Sequence, residues 1–172
     1  MAETIEIDVW HGEIAELEVD ALVVAATESL FMTAGAAASV KRHGGEEIER
    51  DAVAQGPIRP GSAVATNGGS LAAPYVIHVV AVGHDRLADA DVAVAAVKSA
   101  LAFAEPLRLR RIAVALLGIE HGAFTPDEAA AILVPTLVME ARATSIESIV
   151  LAAAHSREAR AMSDALALVP VT

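Results

Sequence analysis

Four nearly unbroken apolar segments alternate with segments of mixed polarity along the chain. Only His78 interrupts one of them, and they cover residues 21–26, 75–82, 112–117 and 149–154. Short apolar runs of this kind are typical of strands that helices cover on both faces. The pattern therefore predicts four buried strands.

Two further segments predict strands of a different kind. In residues 4–10, apolar Ile5, Ile7 and Val9 alternate with acidic residues, which predicts a one-sided strand near an edge of the sheet. Residues 63–66 form a short apolar segment that predicts one more strand.

The segments between the strands have helical patterns, at residues 35–43, 46–55, 89–104, 126–142 and 156–168. The fourth follows Thr125-Pro126, with Glu128 three residues after the threonine, which is a typical helix start. Pro135 inside that helix should cost one hydrogen bond and favour a kink. Strands that alternate with helices predict an α/β protein, a layered α/β/α sandwich. The length of 172 residues predicts one domain over residues 1–172.

Composition and charge argue against some classes of binding partner. Aromatic residues make up 3% of the chain, too few for a surface that stacks on bases, and a net charge of -11 opposes binding to nucleic acid or anionic membranes. The absence of cysteine excludes disulfides and thiolate chemistry. The N-terminus lacks the pattern of a signal peptide, and no apolar run is long enough for a membrane helix. We therefore expect a cytoplasmic protein without a nucleic-acid or membrane partner.

Two loops of small residues are the candidate site. Loop one, residues 27–38, follows the apolar segment 21–26, and loop two, residues 118–124, follows the segment 112–117. Each would lead from the carboxyl end of a strand to a helix start, which is where open α/β sheets bind ligands and where free N–H groups favour an anion. The pattern alone fits ordinary strand-to-helix connections equally well.

At this point the residues resemble a known family. The segments VDALVVAATESLFMTAGAAASVKRHGG, YVIHVV and LLGIEHGAFTPDEAA are similar to macrodomains, in particular the microbial stand-alone branch, and the resemblance covers roughly residues 9–137. It implies a three-layer α/β/α fold with a central mixed sheet. It also implies ADP-ribose or a derivative as the ligand, with the diphosphate held between loops one and two. Some relatives hydrolyse ADP-ribose from proteins or deacetylate O-acetyl-ADP-ribose.

The resemblance assigns roles to residues of the first half of the chain. Glu13 stands where relatives have an aspartate that binds the adenine amino group, although it also fits a solvated acid at a helix start. Thr27 replaces an asparagine that reaches the distal ribose. In loop one, small residues replace several glycines, and Ala37 stands where hydrolytic relatives of another branch have an aspartate. The segment 41–45 is expected to form and end the helix rather than contact the ligand.

Loop two departs further from the family. Relatives tend to read Gly-Thr-Gly-x-Gly-Gly-Phe, whereas this chain has Ile119 for the threonine and Glu120 for a glycine. A carboxylate about 4–6 Å from a diphosphate costs on the order of 1–4 kcal/mol, unless Glu120 points outward or pairs with His121. His121 is a weak candidate for an acid or base. The implied ligand-binding set is Glu13, Ile14, Thr27, Ala34, Gly35, Ala36, Ala37, Gly118, Ile119, Glu120, His121, Gly122, Ala123 and Phe124.

Three functions follow as alternatives. The first is binding of ADP-ribose or a related nucleotide. The second is a degenerate relative that has lost the ligand and acts as an interaction or oligomerisation domain, which allows a homo-oligomer. The third is a hydrolase of ADP-ribose esters. No cofactor is predicted, and no metal is predicted because no two histidines have the spacing of a helical metal site.

Overall fold

The computed structural model describes residues 4–170 and contains a six-stranded sheet in the order β1-β6-β5-β2-β4-β3. All neighbouring strands are parallel except β3, which is antiparallel to β4. The predicted mixed sheet is therefore confirmed, and the segment expected at an edge is the edge strand β1. The strands are β1 Glu6–His11, β2 Ala21–Ala25, β3 Ala63–Asn67, β4 Tyr75–Val79, β5 Arg111–Ala115 and β6 Ser148–Ala153.

The five predicted helices are present, with two short 3-10 turns at Ile14–Glu16 and Glu120–Gly122. The helices are α1 Gly35–Gly44, α2 Glu46–Val53, α3 Ala90–Leu101, α4 Pro126–Ala141 and α5 Ser156–Ala167.

Helix α4 begins as its sequence predicts. The Glu128 amide donates to Thr125 Oγ1 at 3.2 Å, and the Thr125 amide donates to Glu128 Oε1 at 3.1 Å, which completes a capping box. The Thr125 amide and, to a smaller extent, the Thr125 hydroxyl lower the pKa of the Glu128 carboxyl group. The helix continues past Pro135 to Ala141.

Alternation along the strands explains the three layers. In β2, Ala21 and Val23 belong to the core that also contains buried residues of α3, α4 and α5. Leu22 and Val24 point the other way, into the core shared with α1 and α2. Because successive side chains of a strand face opposite sides, a continuous apolar run covers both faces of the sheet.

The sheet order brings the two candidate loops together. Strands β2 and β5 are parallel neighbours, so their carboxyl ends lie at the same edge of the sheet. Loop one leaves β2 and loop two leaves β5 at this edge. Within residues 4–170, no helix has the length and apolarity that crossing a bilayer requires.

Candidate ligand-binding cleft

A cleft of about 540 Å³ lies between loop one and loop two. Its volume is within the usual range for sites that bind small molecules. Its lining comprises Gly12, Glu13, Ile14, Ala25, Ala26, Thr27, Phe31, Thr33, Ala34, Gly35, Ala36, Ala37, Ser39, Arg42, Val82, Ala115, Leu116, Ile119, Glu120, His121, Ala152, Ala154, His155 and Glu158.

Most of the sequence-predicted site residues line this cleft. Glu13, Ile14, Thr27, residues 34–37 and residues 119–121 all do, whereas Gly118, Gly122, Ala123 and Phe124 are not part of the lining. Phe124 is instead half-buried and packs against the core beside helices α3 and α4. A sugar-stacking role for its ring would need a different orientation.

The start of α1 offers backbone amides to the cleft. Gly35, with a left-handed φ of 59°, is the first residue of the helix. The Ala38 amide is the first that donates a helical hydrogen bond, to Ala34 O at 3.2 Å. No side chain caps the helix, so the amides of Gly35, Ala36 and Ala37 precede its hydrogen-bonded part at the cleft wall. Uncapped helix starts are suited to binding anions.

The residues that replace glycines in loop one fit its backbone. Ala34 is extended, with a φ of -149°, and neither Thr33 nor Ala38 has a positive φ. Only Gly35 and Leu30 of this loop are left-handed. The backbone of loop one therefore does not require glycine at these three positions.

Glu120 points into the protein. Its Oε2 accepts a hydrogen bond from the Gly118 amide at 2.9 Å, while Oε1 is buried and has no hydrogen-bond partner. Burial raises the pKa of Glu120, opposed by its own amide and that of Gly118. The carboxylate neither points outward nor pairs with His121, which were the two arrangements expected to remove its cost.

His121 is exposed and adopts a left-handed conformation with a φ of 55°. It lines the cleft, but within residues 4–170 its ring makes no hydrogen bond or ion pair with a side chain that would orient it as an acid or base.

Thr27 and Glu13 hold positions along the cleft through local partners. The Thr27 hydroxyl lies 3.2 Å from Ser29 Oγ at the end of β2. The Ser39 hydroxyl donates to Glu13 Oε2, and His43 Nδ1 lies 2.9 Å from Ser39 O. Glu13 is therefore exposed but tethered to α1 rather than freely solvated.

Sequence reasoning missed several lining residues. Arg42 lines the cleft, although segment 41–45 is expected to form and end the helix rather than contact the ligand. Ser39 and Arg42 follow the predicted Ala36 at intervals of three residues, a spacing that could have revealed them. Phe31, 51% exposed, contributes an aromatic ring from loop one.

A third strand-to-helix junction also contributes. His155 and Glu158 follow β6 and line the cleft beside loops one and two. Glu158 is only 8% exposed, and burial raises its pKa, opposed by the nearby His155 and His11. The rule that ligands bind at carboxyl ends of strands, applied to β6 as well, would have found this wall. Among residues 4–170, no three histidine, aspartate or glutamate side chains converge as metal ligands.

Comparison with known proteins identifies the protein family. The Macro domain family model matches residues 23–133. The fold is similar to the Oceanobacillus iheyensis macrodomain with ADP, with a TM-score of 0.87 and 16% identity over 97% of this chain and 93% of that one. It is also similar to the Trypanosoma brucei macrodomain in complex with ADP-ribose, with a TM-score of 0.85 and 20% identity over 92% and 68% of the two chains.

The chain belongs to the Macro domain family. An uncharacterised protein of Mycobacterium tuberculosis is 33% identical over 162 residues, which is 94% of this chain and 45% of that protein. The chain thus spans less than half the length of this mycobacterial relative.

Proposed function

We propose that this protein binds ADP-ribose or a related nucleotide derivative in the cleft between loop one and loop two. The observation that carries this proposal is the convergence of both loops and the uncapped start of α1 on one open cleft of about 540 Å³. The ADP-ribose complex of the Trypanosoma brucei macrodomain, which shares the fold, supports the choice of ligand.

In this proposal, the amides at the start of α1 receive a phosphate, and Glu13 binds the base. Among residues 4–170, Arg42 is the one lysine or arginine in the cleft lining, against the carboxylates of Glu13, Glu120 and Glu158. Binding of the diphosphate must therefore rely on backbone amides more than on cationic side chains.

Isothermal titration calorimetry with ADP-ribose tests the proposal. A variant Ala36→Asp, which adds a carboxylate beside the α1 amides, should weaken binding at least about tenfold through charge repulsion. Ala131→Asp makes the same substitution on an exposed part of α4 outside the cleft lining and should leave binding unchanged. The proposal is wrong if the unmodified protein shows neither heat nor a thermal shift at millimolar ADP-ribose.

A second candidate is a macrodomain that does not bind ADP-ribose and acts as an interaction or oligomerisation domain. The bond between Glu120 and the Gly118 amide favours it, because that amide is already occupied. Analytical ultracentrifugation measures self-association directly.

If this second candidate is right, the double variant Thr27→Asn, Glu120→Gly should bind ADP-ribose although the unmodified protein does not. If the double variant gains no binding, these two residues do not explain the loss.

A further inference from the structure

We propose that Glu120 is an internal anion of loop two, so that a phosphorylated ligand must compete with its carboxylate for the Gly118 amide. This inference rests on the proposed function of the cleft and describes how that site is regulated.

The first observation is the donor that the carboxylate uses. Glu120 Oε2 accepts a hydrogen bond from the Gly118 amide at 2.9 Å. The amides of Gly122, Ala123 and Phe124 already donate to backbone carbonyls of the same loop. The carboxylate thus takes the Gly118 amide, which a phosphate oxygen could otherwise use.

The second observation is that the other carboxylate oxygen is not satisfied. Glu120 Oε1 is buried without a hydrogen-bond partner, although Glu120 lines the cleft. A buried acceptor without a partner is unfavourable, so a proton or a ligand hydroxyl would relieve it. The carboxylate is therefore held by one oxygen only and can be displaced.

No neighbouring charge neutralises Glu120. The ionisable side chains that share the cleft are Glu13, Arg42, His121, His155 and Glu158, and within residues 4–170 none of them forms an ion pair with it. The carboxylate consequently repels an incoming phosphate with its full charge whenever it is ionised. Burial raises its pKa, so acidification neutralises it earlier than an exposed glutamate.

Two consequences distinguish competition from a purely structural role. Removing the charge should strengthen binding in proportion to the phosphates of the ligand and leave a ligand without phosphate unaffected. Lowering the pH should also strengthen binding of a phosphorylated ligand. A neutral carboxyl group holds the Gly118 amide less strongly and no longer repels the phosphate.

Calorimetric titrations of three proteins with ADP-ribose, AMP and adenosine test the first consequence. Glu120→Gln should bind ADP-ribose at least about tenfold more tightly than the unmodified protein and adenosine equally well. Asp127→Asn is the matched control, because it removes one exposed negative charge close to loop two in sequence but outside the cleft lining. It should change each affinity less than twofold. Glu120→Gly repeats the test with no side chain, and thermal unfolding verifies that each variant is folded.

Titrations with ADP-ribose from pH 8 down to pH 4.5 test the second consequence, because a glutamate with a raised pKa takes up its proton within this range. Affinity of the unmodified protein should rise as the pH falls, this rise should disappear in Glu120→Gln, and it should persist in His121→Gln. Equal affinities and equal pH dependence in the unmodified protein and Glu120→Gln would overturn the inference while leaving the proposed function intact. If none of the folded proteins binds ADP-ribose at any pH, both are overturned.

Discussion

In loop two, Gly118, His121 and Gly122 have left-handed backbone conformations, with φ of 100°, 55° and 70°. Glycine adopts this region without penalty, whereas other residues pay about 1–2 kcal/mol. The loop keeps glycine at two of these positions and places a histidine, a residue type enriched in this region, at the third. The loop therefore has a residue type suited to the left-handed region at each of these three positions.

The two glycines should differ in their tolerance of a methyl group. A Cβ at Gly122 would meet no atom within 4 Å, whereas one at Gly118 would lie 3.1 Å from Phe124 Cδ2. We expect Gly122→Ala to lower the free energy of unfolding by about 1 kcal/mol through the backbone alone. Gly118→Ala should lower it by roughly 2 kcal/mol, since Phe124 must also move. Urea denaturation measures both, and an equal or larger loss for Gly122→Ala would contradict this account.

The site could be predicted from the sequence only as far as the backbone determines it. Loops one and two follow apolar strands, so their convergence is a consequence of parallel pairing between β2 and β5. The inward orientation of Glu120 could not be predicted, because it depends on where the Gly118 amide lies after the 3-10 turn forms. The positions of Arg42 and His155 in the cleft lining could not be predicted either. They depend on which face of α1 borders the cleft and on the junction after β6 bordering it as well.

At the level of elements, the ends of strands were less predictable than their existence. The apolar run 75–82 extends beyond β4, which ends at Val79, because Val80, Ala81 and Val82 remain buried outside the ladder. Burial and ladder hydrogen bonding are separate properties, and only burial leaves an apolar signal in the sequence. Capping residues give sharper boundaries, as Thr125 does for α4.

Helix α4 contains two prolines in different roles, which allows a matched prediction. Pro126 is at the first helical position, where no amide donor is needed, whereas Pro135 is exposed in the interior, where it removes a hydrogen bond. We expect Pro135→Ala to raise the free energy of unfolding by roughly 2 kcal/mol, less than the full helix penalty because the unfolded chain gains freedom.

Pro126→Ala is the control for this substitution and should change stability by less than about 0.5 kcal/mol. Both variants can be compared by guanidinium denaturation. A loss of stability in Pro135→Ala would show that the surrounding structure depends on the proline ring.

At the level of the whole molecule, the stability of the fold should depend on one buried histidine. His78 in β4 is fully buried, its Nε2 lies 2.9 Å from Thr66 Oγ1, and its Nδ1 has no partner. Burial lowers the pKa of His78 from 6.5 to about 4. The folded state therefore resists protonation that the unfolded chain accepts, so stability is complete above pH 6.5 and falls as the pH decreases toward 4.

This linkage predicts that protonation of His78 alone lowers the free energy of unfolding by about 2 kcal/mol between pH 7.5 and pH 5. Glu120 and Glu158 act in the opposite direction, because burial raises their pKa and acidification relieves that cost. Unfolding by urea at both pH values should show a smaller pH-dependent loss in His78→Gln than in the unmodified protein. His84→Gln, which changes an exposed histidine, should retain the original dependence. An unchanged loss in His78→Gln would assign the acid sensitivity to other groups.

The position of β6 has a consequence for how the protein is made. This strand is the last of the six within residues 4–170, yet it lies between β1 and β5, and Ala152 in it and Ala154 directly after it line the cleft. While a ribosome is still synthesising residues before 148, the first strand has no neighbour to pair with and the cleft lacks a wall. A nascent chain at that stage would therefore have an incomplete cleft, and the cleft would be closed on this side only when β6 is inserted.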